Sequence, residues 1–385
     1  MKVEREIGGI ALPFAAGVLV TAYAAKSCCC DLSSISFSAS AAIFIALSVL
    51  LSRDAWKERT LPYAASACML IYLTVFGCGA LSAAFGLATD IELPPSRLEV
   101  MAERFGSSMS YAIESMPFQS PDTGALLKAL LTGNRSSLSP AVIEVFRTSG
   151  ASHILALSGL HLGIIYVIFS KGLAVLGNGI YAKRLRSCLL ILFCGFYTLS
   201  TGSGPSISRA FIFILLSECA GLTGRYRSLT QILHASLLLQ LIFSPLSILT
   251  VSFQLSYAAM AGIAYIFPRM KDMWPDSGTE STDRRSGTTA GRMLISTARW
   301  IWSSAALSIS CQLTTGPLAY IYFGTFPRYF LLTNLLALPL TGILIPLAVL
   351  TILLSAAGWC PGILIQATDA SASLLIWILS IISTL

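Results

Sequence analysis

Along most of its length the chain returns to apolar stretches, most of them long enough to cross a lipid bilayer and several shorter. They run over about 7–25, 35–51, 61–87, 152–170, 188–201, 206–220, 229–244, 247–267, 295–323, 330–356 and 362–384. A hydrocarbon core about 30 Å thick takes roughly 20 residues of helix, or roughly 10 alternating residues of barrel strand. These runs are long and do not alternate, so helices are predicted. Only 11% of the residues are charged, where soluble domains carry about 25%, and 55% are hydrophobic. Those figures exclude a soluble enzyme, a disordered chain and a coiled coil. The fold class predicted is an all-α polytopic membrane protein with about 10–11 transmembrane or half-spanning helices.

Charge placement orients the helices. The 25 Lys and Arg outnumber the 18 Asp and Glu, a net charge of +7. In a membrane chain, basic loops held in the cytoplasm explain that excess before nucleic acid does. Lys2 and Arg5 precede the first run, which reads as a retained helix and not a cleaved signal. Further basic loops hold Arg53, Lys57 and Arg59; Lys171, Lys183, Arg184 and Arg186; Arg225 and Arg227; and Arg269 to Arg292. The N-terminus is then cytoplasmic. Three regions follow: 1–87 with three helices, a polar segment 88–150 outside, and a helical core 151–385.

Residues 88–150 carry seven acids against five bases, in keeping with an outer location. Leu98, Met101, Phe105 and Met109 recur at helical spacing, which predicts an amphipathic helix on the membrane surface, ended by Pro117 and Pro121. Two short helices are predicted at 123–133 and 140–149, separated by Gly133-Asn134-Arg135. Ser139 is the N-cap of the second and Pro140 its first residue.

The residues that would carry chemistry are sparse. Among ten cysteines there is no C-x-x-C pair; Cys68, Cys78, Cys188, Cys194, Cys219, Cys311 and Cys360 read as packing residues, and Cys28-Cys29-Cys30 as a loop open to oxidation or acylation. Three histidines leave no metal cluster, and neither a nucleotide-binding loop nor a G-x-S-x-G elbow is present. No enzyme, cofactor or metal site is predicted. Polar groups do occur inside the apolar runs, where a charge costs about 2.5–3.5 kcal/mol on insertion scales. They are His153, Ser158, His161, Arg209, Glu218, His234, Gln240, Gln254, Gln312, Asn334 and Asp369.

The densest stretch is Phe146-Arg147-Thr148-Ser149-Gly150-Ala151-Ser152-His153-Ile154-Leu155-Ala156-Leu157-Ser158-Gly159-Leu160-His161-Leu162-Gly163. Gly159 and Gly163 form a small-xxx-small face that admits another backbone, and Ser158 and His161 share a helix face. The same stretch resembles the signature of the ComEC family of competence proteins, approximately Phe-Arg-x-Ser-Gly-x-x-His-Leu-Leu-Ala-Ile-Ser-Gly-Leu-His-x-Gly. Later landmarks match in order: Gly204-Pro205-Ser206 with Arg209-Ala210, Gly224-Arg225, Pro245, Phe253-Gln254-Leu255-Ser256, Pro317, and Asn334-Leu335-Leu336 with Pro339. The resemblance covers roughly 120–355. It departs from many members in having neither an OB-like barrel in 88–150 nor an H-x-H-x-D-H metal cluster, so it extends to the membrane core alone.

The resemblance implies a bacterial inner-membrane channel that passes single-stranded DNA during transformation. A separate ATPase, a DNA-binding receptor and a nuclease would be its partners beside the lipid bilayer, with self-association left open. The residues assigned to the DNA path or motif are Arg147, His153, Ser158, Gly159, His161, Arg209, Gln254 and Asn334. Each has a structural alternative. Arg209 faces the path or serves as a counter-charge, and the histidines donate to phosphate or hold the bundle together. The alternative function is a secondary transporter for a smaller anion. It would use backbone opened at Thr315-Gly316-Pro317 and Leu338-Pro339, with Glu218 and Asp369 as a proton route.

Overall fold

The structure, a computed structural model, describes residues 2–27, 61–88, 96–177, 179–223, 228–273, 289–324, 328–359 and 361–384. The run at 35–51, the Cys28–Cys30 triplet, and the basic loops at Arg53–Arg59 and Arg225–Arg227 lie outside them. All regular elements among the described residues are helical. Those able by length and composition to cross a bilayer are Gly159–Leu176, Pro205–Leu222, Val251–Lys271, Phe330–Ala356 and Gly362–Ser383, with shorter apolar helices at Gly9–Tyr23, Ile71–Ala84 and Leu229–Phe243. The chain is an all-α polytopic membrane protein.

It divides into two compact units, the first formed by Met1–Pro94 with Ile212–Tyr257 and the second by Pro95–Phe211 with Ala258–Leu385. In the first unit, α1 (Lys2–Ser27) lies against α2 (Leu61–Ala88). Their contact is glycine on backbone in both directions. A Cβ on Gly17 would fall 2.0 Å from the carbonyl oxygen of Phe76, and one on Gly79 would fall 2.1 Å from that of Phe14. Lipid supplies no hydrophobic drive between helices, so such close approach is how they gain contact. Phe14, Val18, Ala22, Ala83, Leu241, Ile248 and Phe253 form the core of this unit.

The second unit opens with α3 (Arg97–Glu114), α4 (Pro121–Thr132) and α5 (Pro140–Thr148). A capping box starts α3: Ser96 N–H donates to Glu99 Oε2 (2.6 Å) and Glu99 N–H to Ser96 Oγ (3.2 Å). Leu98, Met101 and Phe105 are exposed on it, the apolar face the spacing predicts. Its other side meets protein, where Gly106 lets the carbonyl of Ser200 approach. Ser139 caps α5 as predicted, its Oγ accepting from Val142 N–H (3.3 Å). α4 is buried at every position from Ala125 to Thr132. Tyr197 Oη donates to the carbonyl of Leu131 (2.5 Å), and Thr123 donates to the buried carboxylate of Asp369.

Then come α6 (Ser152–Leu155), α7 (Gly159–Gly172), α8 (Ile180–Ser200), α9 (Pro205–Leu222), α10 (Leu229–Phe243), α11 (Val251–Ala261), α12 (Phe267–Lys271), α13 (Thr289–Phe323), α14 (Phe330–Ala356) and α15 (Gly362–Ser383). Two departures from the sequence reading concern where helices break. α13 continues through Pro317 and α14 through Pro339, where interruptions are predicted, and α14 also runs through Pro346. The run at 152–170, predicted as one helix, is broken: Ala156 and Ser158 are extended, and α7 starts afresh at Gly159. A π-helical turn at Gly262–Ile266 joins α11 to α12 just ahead of Pro268, which has no N–H for the α-ladder.

Candidate functional site

The break at Ala156–Ser158 brings Ser158 and His161 together and lies beside the helices that carry Arg209 and Asn334. Ser158 is the N-cap of α7, and His161 occupies the position three residues on that a capping box gives to Glu or Gln. Ser158 N–H donates to His161 Nδ1 (3.0 Å), and Ser158 Oγ lies 2.8 Å from the same nitrogen. So the two residues do meet, but across a helix start and not along one helix face. A ring nitrogen that accepts an N–H carries no proton, so the proton of the neutral imidazole sits on Nε2. His161 is fully buried, and its Nε2 has no hydrogen-bond partner among the described residues. A buried donor left unpaired costs about 1–3 kcal/mol.

Two further helices flank this start. Gly159 faces α9: a Cβ there would lie 3.2 Å from Ala210 Cβ, so the absence of a side chain is what lets α9 come this near. The other glycine of that predicted face, Gly163, has nothing within 4 Å. Arg209, beside Ala210 in the second turn of α9, is 6% exposed. α14 also packs against α7. Asn334, in its first turns, is half-buried and its Oδ1 lacks a partner among the described residues. Next to it Thr333 Oγ donates to the carbonyl of Ser149 (2.6 Å), tying α14 to the end of α5. A guanidinium, an imidazole N–H and an amide thus come from three helices, each near its first turns.

The remaining residues are engaged elsewhere. Arg147 forks onto Glu144 at the surface of α5 (Nη2–Oε1 2.7 Å, Nε–Oε2 2.8 Å), and its hydrogen bond holds the Glu144 carboxyl below the ordinary range. His153 is exposed, with Nδ1 3.2 Å from the carbonyl of Gly150. Gln254 belongs to the first unit, where Nε2 donates to the carbonyl of Ile248 (3.0 Å) and closes a 3₁₀ turn. Other residues of the matched stretch build it. Phe146 is fully buried, and Gly150 takes φ +80°, a left-handed conformation that favours glycine just past a helix end. Thr333 was not among the predicted residues, because a threonine in an apolar run carries no signal of its own.

A helical, multi-spanning membrane protein with polar groups drawn to one helix break is the class that fold and site define. The chain belongs to the Competence protein family, whose match runs over residues 130–385 and so contains the helix break and both flanking helices. It is 26% identical over 260 residues to ComE operon protein 3 of Bacillus subtilis (strain 168), covering 65% of this chain and 28% of that protein. Over 232 residues it is 27% identical to Competence protein ComA of Neisseria gonorrhoeae, covering 58% and 30%. Over 266 residues it is 26% identical to the protein YcaI of Escherichia coli (strain K12), covering 66% and 32%. The chain spans less than a third of the length of each of these relatives. No solved structure matches it.

Proposed function

We propose that this chain forms the membrane path by which single-stranded DNA crosses the bacterial cytoplasmic membrane during transformation. Each nucleotide brings one phosphate charge, and an unpaired charge in hydrocarbon costs tens of kcal/mol on a Born estimate. A strand therefore needs donors at membrane depth that are not already spent within the protein. His161 is the observation that carries the reading: its Nε2–H is buried in the first turn of a helix long and apolar enough to span the membrane and has no acceptor among the described residues. Arg209, on the helix that Gly159 admits, supplies charge, and Asn334, on a helix packed against α7, an amide; such groups touch a sugar–phosphate backbone without reading sequence. A helix that begins within a membrane bundle also presents its positive end to anions.

In this reading residues 88–150 lie outside the cytoplasmic membrane, the N-terminus lies inside, and 151–385 form the path. The drive comes from other components of the uptake machinery, and this chain performs no catalysis. The test offers labelled DNA to host cells with the gene deleted, restored, or restored as Arg209→Ala, and counts nuclease-protected label inside spheroplasts. Loss of label on deletion, with at least a fivefold deficit in the Arg209 variant at normal abundance, is the expected result. Unchanged internalisation on deletion, in cells competent for uptake, overturns it.

A further inference from the structure

Away from the helix break, the end of α3, the start of α4 and the segment between them line an open cavity of about 300 Å³. That is the small end of the range of ligand pockets, about 300–1,000 Å³. Its wall holds a cation: Lys128 is 7% exposed, paired with Glu114, and donates to Ser137 Oγ (3.1 Å). A lysine this deep requires an anion, yet the Glu114 side chain that serves is 53% exposed, on the last residue of α3. A counter-ion more than half in water can be replaced by an anion entering the cavity beside it. The first turn of α4 opens on the same space through Pro121 and Gly124, and its N-cap Ser120 makes no side-chain cap hydrogen bond. That end of the helix adds partial positive charge. Phe118 completes the wall with an aromatic ring 3.7 Å from where a Gly124 Cβ would stand.

We propose that this cavity binds one nucleotide of single-stranded DNA, the phosphate on Lys128 in place of Glu114 and the base against Phe118. The assignment rests on the uptake reading and adds to it a receiving site outside the membrane-spanning helices. A buried cation, serine hydroxyls and an aromatic face are the elements by which proteins hold unpaired nucleotides. None of the lining residues belongs to a helix long and apolar enough to cross the bilayer. The Phe118 ring beside the cation favours a nucleotide over a lipid headgroup.

The test uses the full chain in phosphatidylcholine nanodiscs, titrated with fluorescein-labelled (dT)12 and competed with dTMP. Lys128→Gln weakens binding at least fivefold. Glu114→Gln, which removes the competing carboxylate, tightens it about threefold. Gly124→Leu, which fills the cavity without touching a charge, weakens it about fivefold. Melting temperatures identify any variant that fails to fold. If Lys128 and Glu114 are only a structural pair, both substitutions lower the melting temperature and neither moves the affinity twofold, which overturns the proposal. Competition by phosphatidylglycerol but not by dTMP makes the cavity a lipid site and overturns it equally. Loss of DNA uptake on gene deletion with unchanged affinities sinks this inference alone; shifted affinities with unchanged uptake on deletion sink the uptake reading and leave the nucleotide site standing.

Discussion

Ser158 N–H donates to His161 Nδ1 across 3.0 Å, and this bond fixes the proton of a fully buried imidazole on the opposite nitrogen. The donor is the backbone, so it survives any side-chain change at 158 except proline. Ser158→Ala is therefore expected to lose only the hydroxyl's share of the cap, about 1 kcal/mol. Thermal unfolding in detergent measures that loss, while DNA uptake stays above half of normal. An uptake loss beyond tenfold at normal abundance would show that the hydroxyl itself contacts the strand.

Thr333 and Ser149 hold α14 to the end of α5 through one buried hydrogen bond. Thr333→Val keeps the shape and strands the Ser149 carbonyl, which is expected to cost about 1–3 kcal/mol. Thr333→Ser restores most of it. Melting temperatures of the three chains check this.

The glycine contacts give opposite expectations at positions alike in sequence. Gly79→Ala places a methyl 2.1 Å from the Phe14 carbonyl, so α1 and α2 must part, at a cost of about 1–3 kcal/mol or more. Gly163→Ala meets nothing within 4 Å and removes backbone freedom in the interior of α7, a gain of about 0.5–1 kcal/mol. Chain abundance and thermal stability read both.

For Glu144 the sign follows from its partner. Arg147 lowers the carboxyl below its ordinary 4.5, so the pair adds stability above that pH and loses it as pH falls through the folded value. Both side chains are exposed, which keeps the contribution small in salt. Arg147→Gln should melt within a degree or two of the parent at pH 7, and the difference should vanish below the folded pKa of Glu144. A melting series from pH 7 to pH 3 tests it. A fall in uptake without a fall in melting temperature would place Arg147 on the strand's route.

Much of this was legible before the structure. Helices α1, α2, α9 to α11 and α13 to α15 lie over the predicted apolar runs, and Ser139-Pro140 started a helix where cap chemistry required. The break before Gly159 was hidden because Ile154-Leu155-Ala156-Leu157 is as apolar as a helix interior, and hydropathy cannot register a change of backbone angle. Pro317 and Pro339 misled in the other direction, since neighbouring helices let a membrane helix keep its course through proline. The burial of α4 depends on partners far along the chain, such as Tyr197 and Asp369, and no local pattern encodes them. Arg147, His153 and Gln254 read as equals of His161 in sequence; only their partners separate them.

The most direct measurement compares DNA internalisation by cells carrying His161→Gln and His161→Phe at matched abundance. Glutamine places an acceptor where Nδ1 meets Ser158 N–H, as in an ordinary capping box, and keeps N–H donors beyond it. Phenylalanine fills the space with neither. The account predicts uptake within about threefold of normal for Gln and at least tenfold below normal for Phe. Normal uptake by the Phe chain, or an equal fall in both, would contradict a role for the buried Nε2–H in carrying phosphate across the membrane.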